Sequence, residues 1–256
     1  MNEGNPSHVS IDGDADIAVV TIQRPERRNA LSSAAARAVK DAIQAASEQA
    51  RVVILTGAGK AFCAGGDLEE LEKWSELDPN EIGTSLYETF QGMIRAVRSA
   101  SAIVIAAING AAVGAGMDLA LACDLRVASR NAKLGQVWVG LGVIPGTGGA
   151  YFTTALAGPT RAAELLLTGD IISADEALAA GLLNEVTDGD VVDAARALAA
   201  RILKNPRDGV VANKRAYVGA TEAAVEAALE HAARVQPERF TSEEFKAALS
   251  ARRNKS

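Results

Sequence analysis

Two short turns rich in glycine and alanine are the features of this sequence whose residue types could do chemistry. The first is CAGGDL (63–68) and the second is NGAAVGAGMDLA (109–120). Each follows a predicted strand and leads into a predicted helix, whose first N–H groups lack acceptors inside the helix. Small side chains let a ligand oxygen approach such backbone closely. Two adjacent turns could aim two N–H donors at one carbonyl oxygen, as an oxyanion hole does. The spacing alone leaves open that they are only packing corners.

Other catalytic patterns are incomplete. The segment TGAGKA (56–61) resembles a phosphate-binding loop, but Ile54 and Ala61 stand where that loop needs glycine and serine or threonine. No G-x-G-x-x-G fingerprint or G-x-S-x-G elbow occurs in the sequence. The two histidines, His8 and His231, lack the spacing of metal ligands. We therefore expect no metal site.

The first half of the chain alternates runs of β-branched residues with helical segments. Buried strands are predicted for DIAVVTI (16–22), RVVILTG (51–57) and AIVIAAIN (102–109). Residues 32–50 predict a helix with Ser32 as its N-cap, and residues 81–99 predict another. Strands joined by helical crossovers indicate an α/β fold with a largely parallel sheet.

After Pro159 the composition becomes rich in alanine. Short helices separated by Gly, Pro and Asp are predicted for residues 159–169, 173–182, 190–204, 206–220 and 221–235. Helices this short need a surface to pack against. A helical cap or a subunit interface would provide one.

Composition and charge exclude several classes of protein. The 256 residues carry a formal net charge of −6, which argues against a nucleic-acid partner. The longest apolar run, residues 102–108, is too short to span a bilayer, so we expect no membrane association. Residues 1–7 are polar and are expected to form a flexible tail. Cys63 and Cys123 show no disulfide pattern, which favours the cytoplasm.

Five segments resemble the crotonase superfamily, also called the enoyl-CoA hydratase/isomerase family. They are RPERRNALS, VVILTGAGKAFCAGGDLEEL, AAINGAAVGAGMDLALACDLRVAS, LGQVWVGLGVIPGTGGAYF and RAAELLLTGDIISADEALAAGLLNEV, within a likeness that runs from about residue 9 to residue 246. The resemblance implies a spiral of ββα units over residues 8–195 and a C-terminal α-helical trimerisation region over residues 196–256. It also implies a homo-oligomer, a trimer or a dimer of trimers. The substrate would be an acyl-CoA thioester, with no cofactor beyond its coenzyme A.

The resemblance assigns roles to residues of the two turns. The amides of Gly66 and Ala115 correspond to the pair that holds the thioester oxygen. The two glutamates of the family's hydratases fall on Asp118 and Trp138, and a tryptophan cannot shuttle protons. Some other members of the family, dienoyl-CoA isomerases and chlorobenzoyl-CoA dehalogenases, place an acid at the position of Gly146, which is also missing here.

Asp118 is therefore the predicted acid/base, and the exact reaction stays open. One buried carboxylate beside a polarised thioester suffices for a double-bond shift, which is the first expectation, and hydration or dehydration of an enoyl-CoA is the near alternative. A thioester hydrolase, another CoA-thioester lyase and a catalytically inactive acyl-CoA-binding homologue are the alternatives. A purely structural role for Asp118, as a cap of the helix after the second turn, is also considered.

Further residues are expected to contact the acyl-CoA, by the same resemblance and by their place around the turns. They are Arg28, Ala30, Ala64, Gly65, Asp67, Leu68, Tyr87, Gln91, Trp138, Leu141 and Gly142. Basic residues near Arg28 suit the phosphates of the nucleotide end. Tyr87 and Gln91, on the helix expected to roof the pocket, would supply a second polar group.

Overall fold

A computed structural model describes residues 8–253, so the tail predicted for residues 1–7 lies outside the described residues. Its strands are β1 (Val9–Gly13), β2 (Ile17–Ile22), β3 (Val52–Gly57), β4 (Ala61–Cys63), β5 (Ile103–Ile108), β6 (Ala111–Val113), β7 (Leu125–Ser129), β8 (Lys133–Gly135), β9 (Ile171–Ser173) and β10 (Glu185–Thr187). Six of them form one sheet in the order β1-β2-β3-β5-β7-β10, and four form a second in the order β4-β6-β8-β9.

The larger sheet is parallel except at its β1 edge. Every residue of β3 and β5 is buried, because helices cover the central strands on both faces. Strands buried on both faces carry continuous apolar runs rather than alternating ones. The three strands predicted from such runs are all present as β2, β3 and β5.

The helices are α1 (Ser33–Gln49), α2 (Leu68–Trp74), α3 (Pro79–Ser85), α4 (Gly92–Ser99), α5 (Ala115–Ala122), α6 (Gly149–Thr168), α7 (Ala174–Ala179), α8 (Val191–Leu203), α9 (Arg207–Phe240) and α10 (Glu243–Arg253). A π-helix, Leu86–Gln91, joins α3 to α4 in one helical run, as predicted for residues 81–99. Ser32 caps α1 by accepting a hydrogen bond from the Ala35 amide at 3.2 Å.

The order strand–strand–helix repeats along the core. β3 enters the large sheet, β4 enters the small sheet and α2 follows; β5, β6 and α5 repeat this order. β4 and β6 each end at a turn that starts a helix, so both glycine/alanine turns lie at corresponding places in successive units. Parallel pairing of β4 with β6 sets these two places side by side.

One prediction for the C-terminal part of the chain is wrong. Residues 206–220 and 221–235 were expected to form two helices, but they form the single 34-residue helix α9. Gly219 is exposed within it, and a glycine in a helix interior costs only about 1 kcal/mol. Packing of α9 against α3, α4 and α6 outweighs this cost. The boundary expected at residue 195 falls inside α8, and the division into core and trimerisation region stays a prediction.

The start of α9 is tied to the large sheet by a buried ion pair. Lys214 Nζ lies 2.8 Å from Asp124 Oδ2, and the two side chains are 3% and 7% exposed. The same ammonium donates to the Ala102 carbonyl at 2.8 Å, while Asp124 also accepts from the Tyr217 hydroxyl and from the Val104 amide. The polar groups of both partners are thus satisfied, as burial requires.

We expect Lys214→Met to lower the free energy of unfolding by about 3–5 kcal/mol, because it leaves the buried Asp124 carboxylate without its cation. Lys246→Met is the matched control. Lys246 and Glu76 form an ion pair at the surface, with side chains 34% and 71% exposed. Such exposed pairs contribute about 0–1 kcal/mol to the free energy of unfolding. Urea unfolding of both variants measures the difference. Equal losses in the two variants would contradict this account.

Among residues 8–253, none of the helices combines the length and the apolar character needed to cross a membrane. The C-terminal helix α10 turns back onto α2 and onto the 3-10 segment Val137–Leu141. Phe240 and Phe245 meet edge to face, and Phe240 meets Trp74 in the same way. The end of the chain therefore packs over the helix that follows the first turn and over the segment that carries Trp138.

Candidate active site

The two glycine/alanine turns are in direct contact. A side chain at Gly65, whose φ is +94°, would place its Cβ 2.9 Å from the Val113 carbonyl oxygen and 3.7 Å from the Ala115 nitrogen. A Cβ at Gly116 would lie 2.2 Å from the Cys63 carbonyl oxygen. Only glycine leaves room for this approach, so the sequence brings the backbone of the two turns together.

The Gly66 backbone is oriented by its bridge to Leu31. Leu31 donates to the Gly65 carbonyl at 2.7 Å and accepts from the Asp67 amide at 2.9 Å. In this parallel pairing Leu31 bonds to the neighbours of Gly66, so the N–H of Gly66 itself points away from Leu31. Ala115 is the first residue of α5, where N–H groups lack helical acceptors. Both turns thus present backbone donors.

The first turn is braced by charged and amide side chains. Asp67 caps α2 by accepting from the Glu69 amide at 3.1 Å, and its other oxygen lies 2.9 Å from Arg24 Nη2. The buried Asn29 side chain donates to the Ala61 carbonyl at 2.7 Å, just before the turn. Arg28 and Asn29 both adopt left-handed backbone, with φ of 51° and 56°. The Arg28 carbonyl accepts from the Ala64 amide at 3.0 Å.

Asp118 lies on α5, fully buried, with donors around its carboxylate. Thr147 Oγ1 donates to Oδ2 at 2.6 Å, and Gln136 Nε2 donates to Oδ1 at 2.9 Å. A Cβ at Gly149 would lie 1.9 Å from Oδ1, so a side chain there would collide with the carboxylate. The N-cap residue of α5 is Gly114, and no side chain caps the N-terminus of this helix. The capping role considered for Asp118 is therefore wrong, because its side chain turns toward residues 136–149 instead.

Burial raises the pKa of Asp118 to about 6, although hydrogen bonds from Thr147, Gln136 and the Gly149 backbone lower it. The effect of burial is the larger one because burial removes the water that stabilises the charged form, whereas the hydrogen-bond donors replace that water only in part. A carboxyl group with a pKa near neutrality can both accept and return a proton at physiological pH.

Trp138 lies beside both the second turn and Asp118. A Cβ at Gly114 would lie 3.6 Å from Cε2 of its ring, the carbon bonded to the indole nitrogen. The indole is 7% exposed, and its N–H makes no hydrogen bond within residues 8–253. It also exerts the smallest of the effects that lower the pKa of Asp118. The N–H therefore interacts weakly with the Asp118 carboxylate without reaching the geometry of a full hydrogen bond.

Comparison with known proteins then decides the family. Residues 12–255 match the family model described as enoyl-CoA hydratase/isomerase. The crotonyl-CoA hydratase of Syntrophomonas wolfei is 40% identical over 182 residues, which cover 70% of this chain and 68% of that protein. The short-chain-enoyl-CoA hydratase of Clostridium acetobutylicum is 39% identical over 185 residues, which cover 71% and 69%. This chain belongs to the enoyl-CoA hydratase/isomerase family.

A solved structure of the same family confirms the fold class. The crystal structure of an enoyl-CoA hydratase/isomerase from Mycobacterium paratuberculosis superposes with a TM-score of 0.89 at 30% identity, over 96% of this chain and 98% of that one. The crotonase-like α/β fold with helices at its C-terminal end, and membership among the enzymes of this family, are therefore confirmed.

The structure places the predicted contact residues in different surroundings. Ala64, Leu68 and Gly142 are partly buried and Leu141 is buried, around the turns and the segment after Trp138. Arg28 is exposed and Ala30 is partly buried on the loop beside the first turn. In contrast, Tyr87 is 52% exposed and lies under the Arg95 guanidinium, 4.4 Å from the ring centroid.

Tyr87 and Gln91, both expected to supply a polar group from the helix over the pocket, thus lie in different surroundings. Tyr87 borders a surface groove of about 430 Å³, which it shares with Lys40 and Arg95. Gln91 is fully buried and donates to the carbonyls of Gly146 and Leu229 at 3.0 and 2.8 Å. Within the same π-helix, Tyr87 stays at the surface whereas Gln91 is buried in the core.

Sequence reasoning missed the residues that hold the Asp118 carboxylate, Gln136, Thr147 and Gly149. They follow Asp118 by 18 to 31 positions and reach it only through the fold. The cluster GTGG (146–149) was the available signal, because consecutive glycines indicate close backbone approach. Gly146 is likewise required to be small: a Cβ there would lie 1.6 Å from Oε1 of the buried Gln236.

Proposed function

We propose that this chain is an enoyl-CoA hydratase that adds water across the double bond conjugated to a coenzyme A thioester. The observation that carries the proposal is the buried Asp118 carboxylate, placed on the first turns of α5, whose first residue, Ala115, contacts the glycine turn of Gly65 and Gly66. The names of the two hydratases given above support hydration over other reactions of the family.

In the proposed mechanism the amides of Gly66 and Ala115 donate to the thioester oxygen. Asp118 takes a proton from a water molecule, whose oxygen bonds to C3 of the acyl group. The electron pair of the double bond moves to the thioester oxygen as an enolate, which the two amides stabilise. The enolate then collapses and C2 takes the proton from Asp118. The carboxylate is regenerated, so one acid/base closes the cycle.

The loop before the first turn is the proposed place for the coenzyme A moiety. Arg28 is exposed there and can meet phosphate oxygens, while Ala30 and Leu68 are partly buried beside the turn. Coenzyme A enters as part of the substrate, and we propose no other cofactor. Within residues 8–253 no group of three or more His, Cys, Asp or Glu side chains is arranged to hold a metal ion.

Double-bond isomerisation is the second candidate. It is favoured by the presence of Trp138 near Asp118, where an indole can donate a hydrogen bond but cannot exchange a proton. Asp118 alone would then move a proton between C2 and C4, with no oxygen added. The same oxyanion pair would stabilise the dienolate intermediate.

Assays of the purified protein with crotonyl-CoA and with a 3-enoyl-CoA test the proposal. Hydration removes the ultraviolet absorbance of the conjugated thioester and yields a 3-hydroxyacyl-CoA, which mass spectrometry identifies by the added water. Isomerisation of the 3-enoyl-CoA creates that absorbance without a mass change. Free thiol release would indicate a hydrolase instead. Binding of both thioesters without turnover would overturn the proposal in favour of an inactive acyl-CoA-binding homologue.

Assembly is a separate part of the proposal. The helical region at residues 196–256 is proposed to join copies of the chain into a trimer or a dimer of trimers. Sedimentation velocity of the full chain distinguishes monomer, trimer and hexamer directly.

A further inference from the structure

The segment that leads to Thr147 is held in place by side chains. Residues 142–146 belong to neither a strand nor a helix, yet three of their carbonyls accept hydrogen bonds from side chains, at 3.1, 2.7 and 3.0 Å. These carbonyls belong to Gly142, Ile144 and Gly146. Their donors, in the same order, are Arg239, Gln236 and Gln91. Backbone groups buried outside regular structure need such partners, so these bonds determine where the segment lies.

The two glutamines connect this segment to the long helix α9. Gln236 lies on α9, and Gln91, on the π-helix, donates to the α9 carbonyl of Leu229 as well as to Gly146. Both glutamines are fully buried. The Gln236 amide lies directly against the segment, because a Cβ at Gly146 would be 1.6 Å from its Oε1. The position of residues 144–146 is thus tied to α9.

The NH2 groups are the useful part of both side chains. Gln91 Oε1 and Gln236 Oε1 are buried and accept no hydrogen bond within residues 8–253. A buried oxygen without a donor lowers stability, and an apolar side chain of the same length would avoid that loss. Such a side chain could fill the volume but could not hold a backbone carbonyl. The two glutamines are therefore suited to fixing the segment rather than only to filling the core.

The residue that follows the segment is the one that donates to the proposed acid/base. Thr147 is buried, and its hydroxyl donates to Asp118 Oδ2 at 2.6 Å. The hydroxyl reaches the carboxylate only if the backbone just before it is correctly placed. A displacement of about 1 Å in such a group can change a rate by about 10²-fold.

We propose that Gln91 and Gln236 are positioning residues that keep the Thr147 hydroxyl on the carboxylate of the proposed acid/base. This inference rests on the proposed hydratase function and deepens it. Neither glutamine contacts the substrate; both act through the backbone of residues 144–146. Helix α9 thereby helps to set the charge state of Asp118, besides the role in assembly proposed for this part of the chain.

The surroundings of Asp118 make its hydrogen bonds decisive for its charge. Burial raises the pKa of this group, and the hydroxyl of Thr147 is the first of the donors that lower it. Cys63 feels the Asp118 charge, but burial raises the pKa of its thiol to about 12, so it stays neutral while Asp118 titrates. The charged groups that reach residues 142–146 from the C-terminal helices are Arg239 and its partner Glu244. Loss of the Thr147 bond should therefore appear as a higher pKa of Asp118.

Infrared titration tests the inference without an assay of activity. The carbonyl band of protonated Asp118, assigned by its absence from Asp118→Asn, reports the proton on this group. Gln236→Met keeps the length of the side chain but cannot donate to the Ile144 carbonyl. We expect the midpoint of the titration to move upward, so that the protonated fraction above the midpoint rises about two- to threefold. Gln236→Asn, whose amide is too short to reach that carbonyl, should act in the same direction and serves if the methionine variant does not fold.

Thr221→Val is the matched control, since it removes another side-chain hydrogen bond of α9. Thr221 accepts from Arg98 Nη2 at 2.8 Å, away from residues 142–147. Its loss should leave the midpoint unchanged. An equal upward shift in Thr221→Val would overturn the inference, because any loosening of α9 would then have the same effect.

A double variant decides whether Gln236 acts through Thr147. Thr147→Val combined with Gln236→Met should titrate at the same midpoint as Thr147→Val alone, because the hydroxyl that the glutamine positions is already gone. The inference is overturned by an equal shift in both backgrounds, or by an unchanged midpoint in both Gln236 variants. The acidic limb of kcat/KM for crotonyl-CoA hydration should move together with the infrared band. A wild-type protein that adds no water overturns the proposed function, whereas the infrared titration still decides the role of the glutamines.

Discussion

Asp118→Asn should lower kcat for hydration by about 10² to 10⁴, the contribution typical of a positioned acid/base. The carboxamide keeps the shape of the side chain and can still accept a hydrogen bond from Thr147. The Gln136 amide, whose Oε1 has no partner within residues 8–253, can turn to accept from the new NH2 group, so the fold should survive. The amide cannot take a proton from water. Steady-state kinetics with crotonyl-CoA measures the loss, and isothermal titration with the product thioester verifies that binding remains. Turnover at the wild-type rate would exclude Asp118 as the base.

The pH dependence of the wild-type enzyme should follow the ionisation of Asp118. Burial raises the pKa of this group to about 6, and only the ionised form accepts the proton of water. In the free enzyme kcat/KM should therefore be constant above this pH and fall about tenfold per pH unit below it. The acidic limb should be absent from the residual activity of Asp118→Asn.

Thr147→Val provides the matched control for that profile. The Thr147 hydroxyl is the strongest of the hydrogen-bonding groups that lower the pKa of Asp118, and valine removes it while keeping similar volume. The pKa of the acidic limb should therefore rise in this variant, while the rate at high pH remains within severalfold. If the pKa of the acidic limb were the same in Thr147→Val as in the wild type, a group other than Asp118 would be responsible for that limb.

The core strands could be predicted because their environment leaves a local mark. β2, β3 and β5 are continuous apolar runs, and each begins within one residue of its predicted start. Burial on both faces requires such runs in a parallel sheet. The turns were predictable for a similar reason, since the small residues of CAGGDL and NGAAVGAGMDLA are needed where two backbones touch.

The surroundings of Asp118 could not be predicted in this way. Its donors Gln136 and Thr147 lie 18 and 29 residues further along the chain. No periodicity or turn signal connects positions that meet only after the sheets and helices have packed. The two-helix prediction for residues 206–235 failed for a related reason: the tertiary contacts of α9 outweigh the intrinsic cost of Gly219.

Gly116→Ala is the prediction that bears most directly on the paired turns. Its new Cβ would lie 2.2 Å from the Cys63 carbonyl oxygen and 2.7 Å from the Cys63 Cβ. Because real Cβ atoms do not approach backbone this closely, the two turns must separate. The Ala115 amide would then move relative to the Gly66 amide, and a displacement of about 1 Å can cost about 10²-fold in rate. We also expect about 1–3 kcal/mol of destabilisation from the added methyl group.

Gly219→Ala is the control, because this exposed helical glycine has no neighbour within 4 Å of an added Cβ. It should leave kcat unchanged and stabilise the protein by about 0.5–1 kcal/mol. In Gly116→Ala the loss should fall mainly on kcat, since the two amides bind the developing enolate more strongly than the ground-state carbonyl. A variant that is destabilised yet keeps the wild-type kcat would show that close contact between the turns serves packing alone. The paired-amide mechanism would then have to be abandoned.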